Sequence, residues 1–137
     1  ILHEMVHDAR VVPLDGRPHL PEGVRQWMGD SRGYWDGDTL VVESTNYTDK
    51  TASFSPSVTM AAGDGTTLSL TERFTRVAED TLLYEFTVND ATTFTAPITA
   101  QIPMKRGEAM FEYACHEGNY GLPNILAGAR QAENAAR

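Results

Sequence analysis

The sequence predicts a mainly β protein, a small antiparallel meander closed as a barrel or sandwich, with one C-terminal helix. Three observations predict this fold class. Short segments that alternate apolar and polar residues recur along the chain, turn-forming residues separate them, and only the last segment changes to a helical period. A chain of 137 residues supports a single hydrophobic core, so we expect one β domain over residues 1–137.

Seven segments have the alternation that is typical of strands. They are residues 1–12, 29–35, 39–47, 66–77, 81–89, 98–106 and 108–115. The Asp-Gly pair in 36–38 predicts a tight hairpin, 78–80 predicts a second hairpin, and Gly107 predicts a third. The proline-rich residues 14–23 and the polar residues 48–65 are predicted loops. Because a flat meander would leave its edges open to aggregation, we expect closure into a lipocalin-like barrel or a sandwich.

The last segment has the period of an amphipathic helix. Its apolar residues fall at spacings of three, four and seven, and Pro123 suits a first helical turn. These apolar residues are Leu122, Ile125, Leu126 and Ala129. We therefore expect a C-terminal helix and tail over residues 122–137.

Composition excludes several classes of partner. Eleven Lys and Arg against nineteen Asp and Glu give a net charge of −8, which repels a nucleic-acid backbone and an anionic membrane surface. No apolar run approaches the roughly 20 residues that a membrane-spanning helix needs. The single cysteine, Cys115, excludes an intrachain disulfide and a zinc site built on several thiolates. We expect no bound metal, no cofactor, no nucleic acid and no membrane insertion, and leave an oligomer open.

Glu72 breaks the apolar pattern of its predicted strand. It shares the phase of Leu70 and Phe74, so its side chain should point inward, where an isolated carboxylate is costly. One interpretation is a structural ion pair with Arg32 or Arg73. The other is a carboxylate that lines a polar cavity and takes part in acid–base chemistry.

The histidines suggest two further kinds of site. The string from His3 to His7 matches the zinc-protease pattern H-E-x-x-H, but the pattern requires a helix, and on the predicted strand the two rings lie roughly 13 Å apart. His7 and His116 are instead the candidate acid–base partners of Glu72. The alternative for His116 is a hydrogen bond to backbone groups where the chain leaves the sheet. Adjacent to it, Cys115 faces the opposite side of the predicted strand, which disfavours a Cys/His nucleophile.

An aromatic and cationic passage follows the first predicted loop. In an extended segment Trp27 and Trp35 would face the same way, and Trp, Tyr and Arg are residues that stack on sugars and planar ligands. The alternative is a pair of core tryptophans that close one end of a barrel. The candidate ligand-binding residues are Trp27, Arg32, Tyr34, Trp35, Tyr84 and Tyr113.

Several longer strings resemble one known family. They include D-G-R-P-H at 15–19, W-M-G-D-S-R-G at 27–33, W-D-G-D-T-L-V-V at 35–42 and E-Y-A-C-H-E-G-N-Y-G at 112–121. Together they resemble the C-terminal domain of a large family of uncharacterised secreted bacterial proteins. The resemblance spans nearly the whole chain and implies a detached C-terminal domain with a periplasmic or secreted location. It implies no catalytic residues.

Two functions follow from these patterns. The first is an extracytoplasmic β-barrel domain that binds a small organic molecule or saccharide in a polar-aromatic pocket. The alternative is a hydrolase or lyase that uses a Glu/His acid–base pair in the same pocket, formed by Glu72 with His7 or His116.

Overall fold

A computed structural model describes residues 1–3, 9–51, 65–110 and 120–135 of the chain. It contains five strands followed by a helix, and the strands pair antiparallel in chain order as one meander sheet. The elements are β1 (Asp30–Asp36), β2 (Thr39–Thr45), β3 (Ser69–Ala78), β4 (Thr81–Asn89), β5 (Ile98–Lys105) and α1 (Gly121–Ala135). A mainly β meander with a C-terminal helix is therefore confirmed.

Local turn chemistry sets the register of two hairpins. Asp36 pairs with Thr39, so Gly37 and Asp38 form a two-residue loop, and Gly37 has the positive φ of 59° that such a loop requires. The second predicted hairpin joins β3 to β4 by a two-residue loop after Ala78, next to a bulge. These two of the three predicted hairpins are confirmed, whereas the third, predicted at Gly107, is not formed by the described residues, because residues 108–110 are not in a strand.

The sheet has two chemically different faces. Side chains alternate along each strand, and the register brings mostly apolar residues together on one face and mostly polar residues on the other, with exceptions such as Val41 and Leu83 on the polar face. The apolar face carries Trp35, Leu40, Val42, Leu70, Glu72, Phe74, Leu82, Tyr84, Phe86, Val88, Ile98, Ile102 and Met104. The polar face carries Arg32, Tyr34, Glu43, Arg73, Glu85, Gln101 and most of the strand threonines.

The N-terminal segment lies against β1 without forming a strand. The Gly33 amide N–H donates to the Pro13 carbonyl oxygen at 2.9 Å, and the side chains of Val12 and Leu14 occupy the space where a Cβ on Gly33 would stand. The predicted strand over residues 1–12 is wrong for the residues described there, which form only an isolated bridge between Leu2 and Ala9. Proline has no N–H to donate, so a continuous ladder cannot pass through Pro13.

The C-terminal part differs from the prediction in one respect. Residues 108–110, the described part of the predicted strand 108–115, are not in a strand, and the rest of it lies outside the described residues. Helix α1 forms where the apolar period predicts it, but none of its residues is buried and it makes no contact with the described strands. Among the described residues, no helix combines the length and the hydrophobicity that crossing a bilayer requires.

The five strands do not close on themselves. β1 and β5 lie at opposite edges of the sheet, and each pairs with one neighbour. The buried core is correspondingly small and centres on Tyr47, Leu68 and Val88, with Phe86 and Phe94 packed against it. Large apolar side chains of the apolar face, such as Ile102 and Met104, remain exposed in this arrangement.

Candidate functional site

A cavity of about 410 Å³ lies on the apolar face, over the middle of the sheet. Its floor consists of Leu70 and Glu72 on β3 and Tyr84, Phe86 and Val88 on β4. The pairing register places these residues opposite one another, with Glu72 beside Phe86 and Leu70 beside Val88. The floor is thus apolar and aromatic, with one carboxylate in its centre.

The described walls of the cavity come from four segments outside the strands. Arg10 and His3 come from the N-terminal segment, Trp27 and Met28 precede β1, Tyr47 and Thr51 follow β2, and Leu68 precedes β3. Gly29 allows this approach, because its φ of 69° is open to glycine and a Cβ there would lie 2.8 Å from the Tyr47 ring. The chain therefore bends sharply between Met28 and β1.

A buried ion pair forms the polar centre of the cavity. Arg10 Nη2 lies 2.6 Å from Glu72 Oε2, and the two side chains are 8% and 5% exposed. The Tyr84 hydroxyl donates a hydrogen bond to Glu72 Oε1 at 2.9 Å. Both oxygens of the carboxylate are therefore engaged, one by a cation and one by a phenol.

Two tyrosines beside this ion pair stay neutral phenols. Burial, followed by the neighbouring Glu72 carboxylate and its hydrogen bond, raises the pKa of Tyr84 far above its ordinary value. Burial also raises the pKa of Tyr47, against the opposing effects of a hydrogen bond with Ser44 and the charge of Arg10. Neither group adds charge to the cavity at neutral pH.

One donor at this centre is left over. Arg10 Nε is buried, and no hydrogen-bond partner for it is found among the described residues. Glu72 Oε2 likewise has no aligned hydrogen bond there, so its contact with Arg10 is a close ion pair of poor hydrogen-bond geometry. The arginine can therefore bind an additional acceptor without losing an existing one.

A second buried carboxylate begins β1. Asp30 Oδ2 accepts from the Leu20 amide at 2.9 Å and from His19 Nδ1 at 3.0 Å, and Asp30 Oδ1 accepts from Arg32 Nη1 at 2.6 Å. Burial raises the pKa of Asp30, but these three contacts outweigh it and hold the pKa below its usual range. This cluster fastens the loop 14–23 to the sheet and does not line the cavity.

The structure brings together three of the predicted site residues. Glu72, Tyr84 and Trp27 all line the cavity. The predicted inward position of Glu72 is thus found, but its predicted partners are wrong. Arg32 pairs with Asp30, and Arg73, which follows Glu72 in the chain and so faces the other way, pairs with Asp36.

The other predicted site residues lie apart. Arg32 and Tyr34 belong to the polar face, because they are out of phase with the residues that flank the cavity. Trp35 is on the apolar face but lines a separate depression of about 320 Å³ at the hairpin end. The segment that carries Trp27 is a turn rather than an extended strand. His7, Tyr113, Cys115 and His116 lie outside the described residues.

Sequence reasoning missed Arg10, Met28 and Tyr47 as cavity residues. Each belongs to a segment outside the strands, where no periodicity indicates the direction of a side chain. The only signal was indirect, because an inward Glu72 requires a cationic partner and Arg10 was one of few arginines available. His19, in the loop 14–23, was missed for the same reason.

The described residues contain no group of three or more His, Cys, Asp or Glu side chains placed to hold a metal ion. The described lining of the cavity contributes an ion pair, two neutral phenols and aromatic rings. No protein-family model, no curated protein and no solved structure matches this chain.

Proposed function

We propose that this chain binds a small organic molecule in the cavity of the apolar face. The observation that carries the proposal is a cavity of about 410 Å³ with an apolar, aromatic lining around one buried polar centre. Ligand sites are typically apolar concavities of this size with few, well-placed polar groups. The same lining favours an organic molecule over a saccharide, whose many hydroxyls would need more partners than the Arg10–Glu72 pair and the two tyrosines supply.

We further propose that the meander is one layer of a barrel or sandwich, as the sequence analysis expects. The exposed Ile102, Met104 and Trp35 support this, because a soluble protein rarely leaves so much of one apolar sheet face uncovered. The periodic alternation through five strands supports it as well. The periplasmic or secreted location remains a proposal that rests on the family resemblance.

The hydrolase or lyase alternative has less support. An acid–base carboxylate needs an oxygen free to exchange a proton with the substrate, and both oxygens of Glu72 are engaged by Arg10 and Tyr84. The proposed histidine partners, His7 and His116, lie outside the described residues. Binding without turnover is therefore the function that the geometry supports best.

Saturation-transfer NMR tests the binding proposal with two probes, indole as an aromatic molecule and methyl β-glucoside as a saccharide. We expect indole to bind the native protein. Leu70→Trp fills the cavity floor and should abolish binding, whereas Leu82→Trp places the same bulk on the apolar face at the other depression and should not. Binding of indole that survives Leu70→Trp would contradict the proposal, and so would binding of the glucoside alone.

A further inference from the structure

We infer that the ligand of this cavity is uncharged, with a planar apolar body and one hydrogen-bond-accepting group directed at Arg10. This inference rests on the proposed function and narrows its ligand class. It starts from the charges around the cavity. Among the described lining residues, Arg10 and Glu72 are the only Asp, Glu, Lys or Arg side chains, and they neutralise each other at 2.6 Å.

A ligand of either charge would weaken the Arg10–Glu72 pair. An anion would have to share the Arg10 guanidinium, which would leave Glu72 buried with its charge only partly compensated. A cation would need Glu72, whose oxygens already contact Arg10 and Tyr84, and would lie close to the arginine. His3 is the other basic side chain of the described lining, and it is exposed. A neutral molecule avoids both penalties.

The donor without a hydrogen-bond partner, Arg10 Nε, indicates which polar group the ligand carries. Arg10 Nε has no hydrogen-bond partner among the described residues, whereas the Tyr84 proton is already donated to Glu72. Glu72 Oε2 also lacks an aligned hydrogen bond, but it lies 2.6 Å from Arg10 Nη2. The group left without such a contact is therefore the donor Arg10 Nε, and an acceptor such as a carbonyl or ether oxygen would satisfy it. A ligand acceptor that reaches the guanidinium does so without breaking the ion pair.

The aromatic rings of the cavity floor indicate the shape of the ligand. The rings of Phe74 and Tyr84 stack with centroids 5.0 Å apart, and Tyr84 and Phe86 follow at 5.5 Å. Of these rings Tyr84 and Phe86 lie on the cavity floor, Phe74 continues the row into the depression at the hairpin end, and Trp27 lines the wall. Flat rings stack on such a surface with more contact area than a branched or globular molecule has.

Two dyes with one skeleton test the charge. N-phenyl-1-naphthylamine is neutral, and 1-anilinonaphthalene-8-sulfonate carries the same rings with a sulfonate. We expect the neutral dye to bind at least tenfold more tightly, measured by its fluorescence. Equal or tighter binding of the sulfonate would overturn the inference while leaving the binding proposal intact. If neither dye nor indole binds, the cavity is not a ligand site and both proposals fail.

The two tryptophans show which depression the dye occupies. Trp27 and Trp35 are equally exposed, at 62%, but line different depressions of the apolar face. In Trp35→Phe only Trp27 remains as a donor of excitation energy to the dye, and in Trp27→Phe only Trp35 remains. We expect efficient transfer in the first variant and a marked loss in the second. The reverse result would place the dye at the hairpin end and contradict the inference.

A neutral pair of probes tests the acceptor. 2-Acetylnaphthalene has a carbonyl oxygen that 2-ethylnaphthalene lacks, and one hydrogen bond of ordinary strength corresponds to about fivefold in affinity. We expect this preference in the native protein. It should vanish in the double variant Arg10→Met with Glu72→Gln, which removes donor and countercharge together. If the preference is absent from the native protein, or survives in the folded double variant, Arg10 does not bind the ligand acceptor.

Discussion

The Arg10–Glu72 pair joins a segment without regular structure to the centre of the sheet. Both partners are buried, so each depends on the other for compensation of its charge. Tyr84 supports the carboxylate from the neighbouring strand. This ion pair, together with the hydrogen bond from Gly33 to Pro13, holds the N-terminal segment on the sheet, and the pair forms the cavity's polar centre.

Removal of one charge of the Arg10–Glu72 pair should lower the stability of the fold. We expect Glu72→Gln to reduce the free energy of unfolding by about 3 kcal/mol, because Arg10 stays buried without a countercharge. Arg10→Met should be destabilising for the same reason. The double variant should lose much less than the sum of the two, with a coupling energy above about 1 kcal/mol in chemical denaturation. Additive losses would show that the two groups do not interact in solution.

Asp30 makes stability depend on pH in the acid range. Its contacts with the Leu20 amide, His19 and Arg32 hold its folded pKa below that of the unfolded chain, near 3.9. The unfolded state therefore binds the proton more readily, so this contribution is complete above about pH 4 and is lost as pH falls below it.

The corresponding variant is Asp30→Asn, which should cost about 2 kcal/mol at neutral pH by removing the partner of the half-buried Arg32. It should also flatten the decline in melting temperature below about pH 4. Asp80→Asn is the matched control, since Asp80 also pairs with a cation, Lys105, but on the exposed surface. An equal effect of the two variants would mean that the Asp30 cluster is open to water in solution.

Among the elements, residues 12–14 pack closely against β1. Gly33 leaves room for the side chains of Val12 and Leu14, which lie 2.7 and 2.6 Å from the place of its missing Cβ. Because that position is enclosed, even a methyl group must displace the segment. The same segment continues to Arg10, so its displacement also affects the cavity.

A glycine pair tests this contact. We expect Gly33→Ala to cost about 1 to 3 kcal/mol through overpacking, with chemical-shift changes along residues 10–14 in NMR spectra. Gly107→Ala is the control, because nothing lies within 4 Å of the added methyl group and the backbone there has no positive φ. A neutral Gly33→Ala would show that residues 12–14 are not packed on β1.

The sequence predicts the parts of this fold that local chemistry determines. The Asp-Gly hairpin, the paired registers of β3 and β4 and the inward phase of Glu72 each follow from residues close together in the chain. The partner of Glu72 does not follow from nearby residues. Arg10 belongs to a segment far from Glu72 in the chain, and the side-chain directions of that segment follow no period. Of the residues that the sequence assigns to one site, Trp27 lines the cavity, whereas Arg32 lies on the polar face of β1.

For the protein as a whole, we expect the sheet and the helix to unfold as separate units. Helix α1 has no buried residue and touches none of the described strands, so it lacks the tertiary packing that stabilises most protein helices. Its apolar residues, including Leu122 and Ile125, remain exposed. A 15-residue helix in this state is marginal in water.

Heating should therefore unfold helix α1 and the sheet in separate steps. We expect the α1 amides to exchange with solvent at nearly unprotected rates, while those of β3 and β4 are protected. Removal of residues 121–137 should change the melting temperature of the sheet by less than about 2 °C, which corresponds to well under 1 kcal/mol. A larger loss, or one sharp transition shared by helix and sheet, would show that α1 packs on the sheet in solution.

The long-range ion pair also has a consequence for biosynthesis. Arg10 leaves the ribosome well before β3, which carries Glu72, has been made. Until then the Arg10 guanidinium has no counterion, and burial of the segment that carries it would cost free energy. The segment around Arg10 is thus translated before β3 but reaches its final position only after β3 has been made. A nascent chain stalled before Glu72 should leave the segment around Arg10 open to proteases, and one stalled after β4 has emerged from the exit tunnel should protect it.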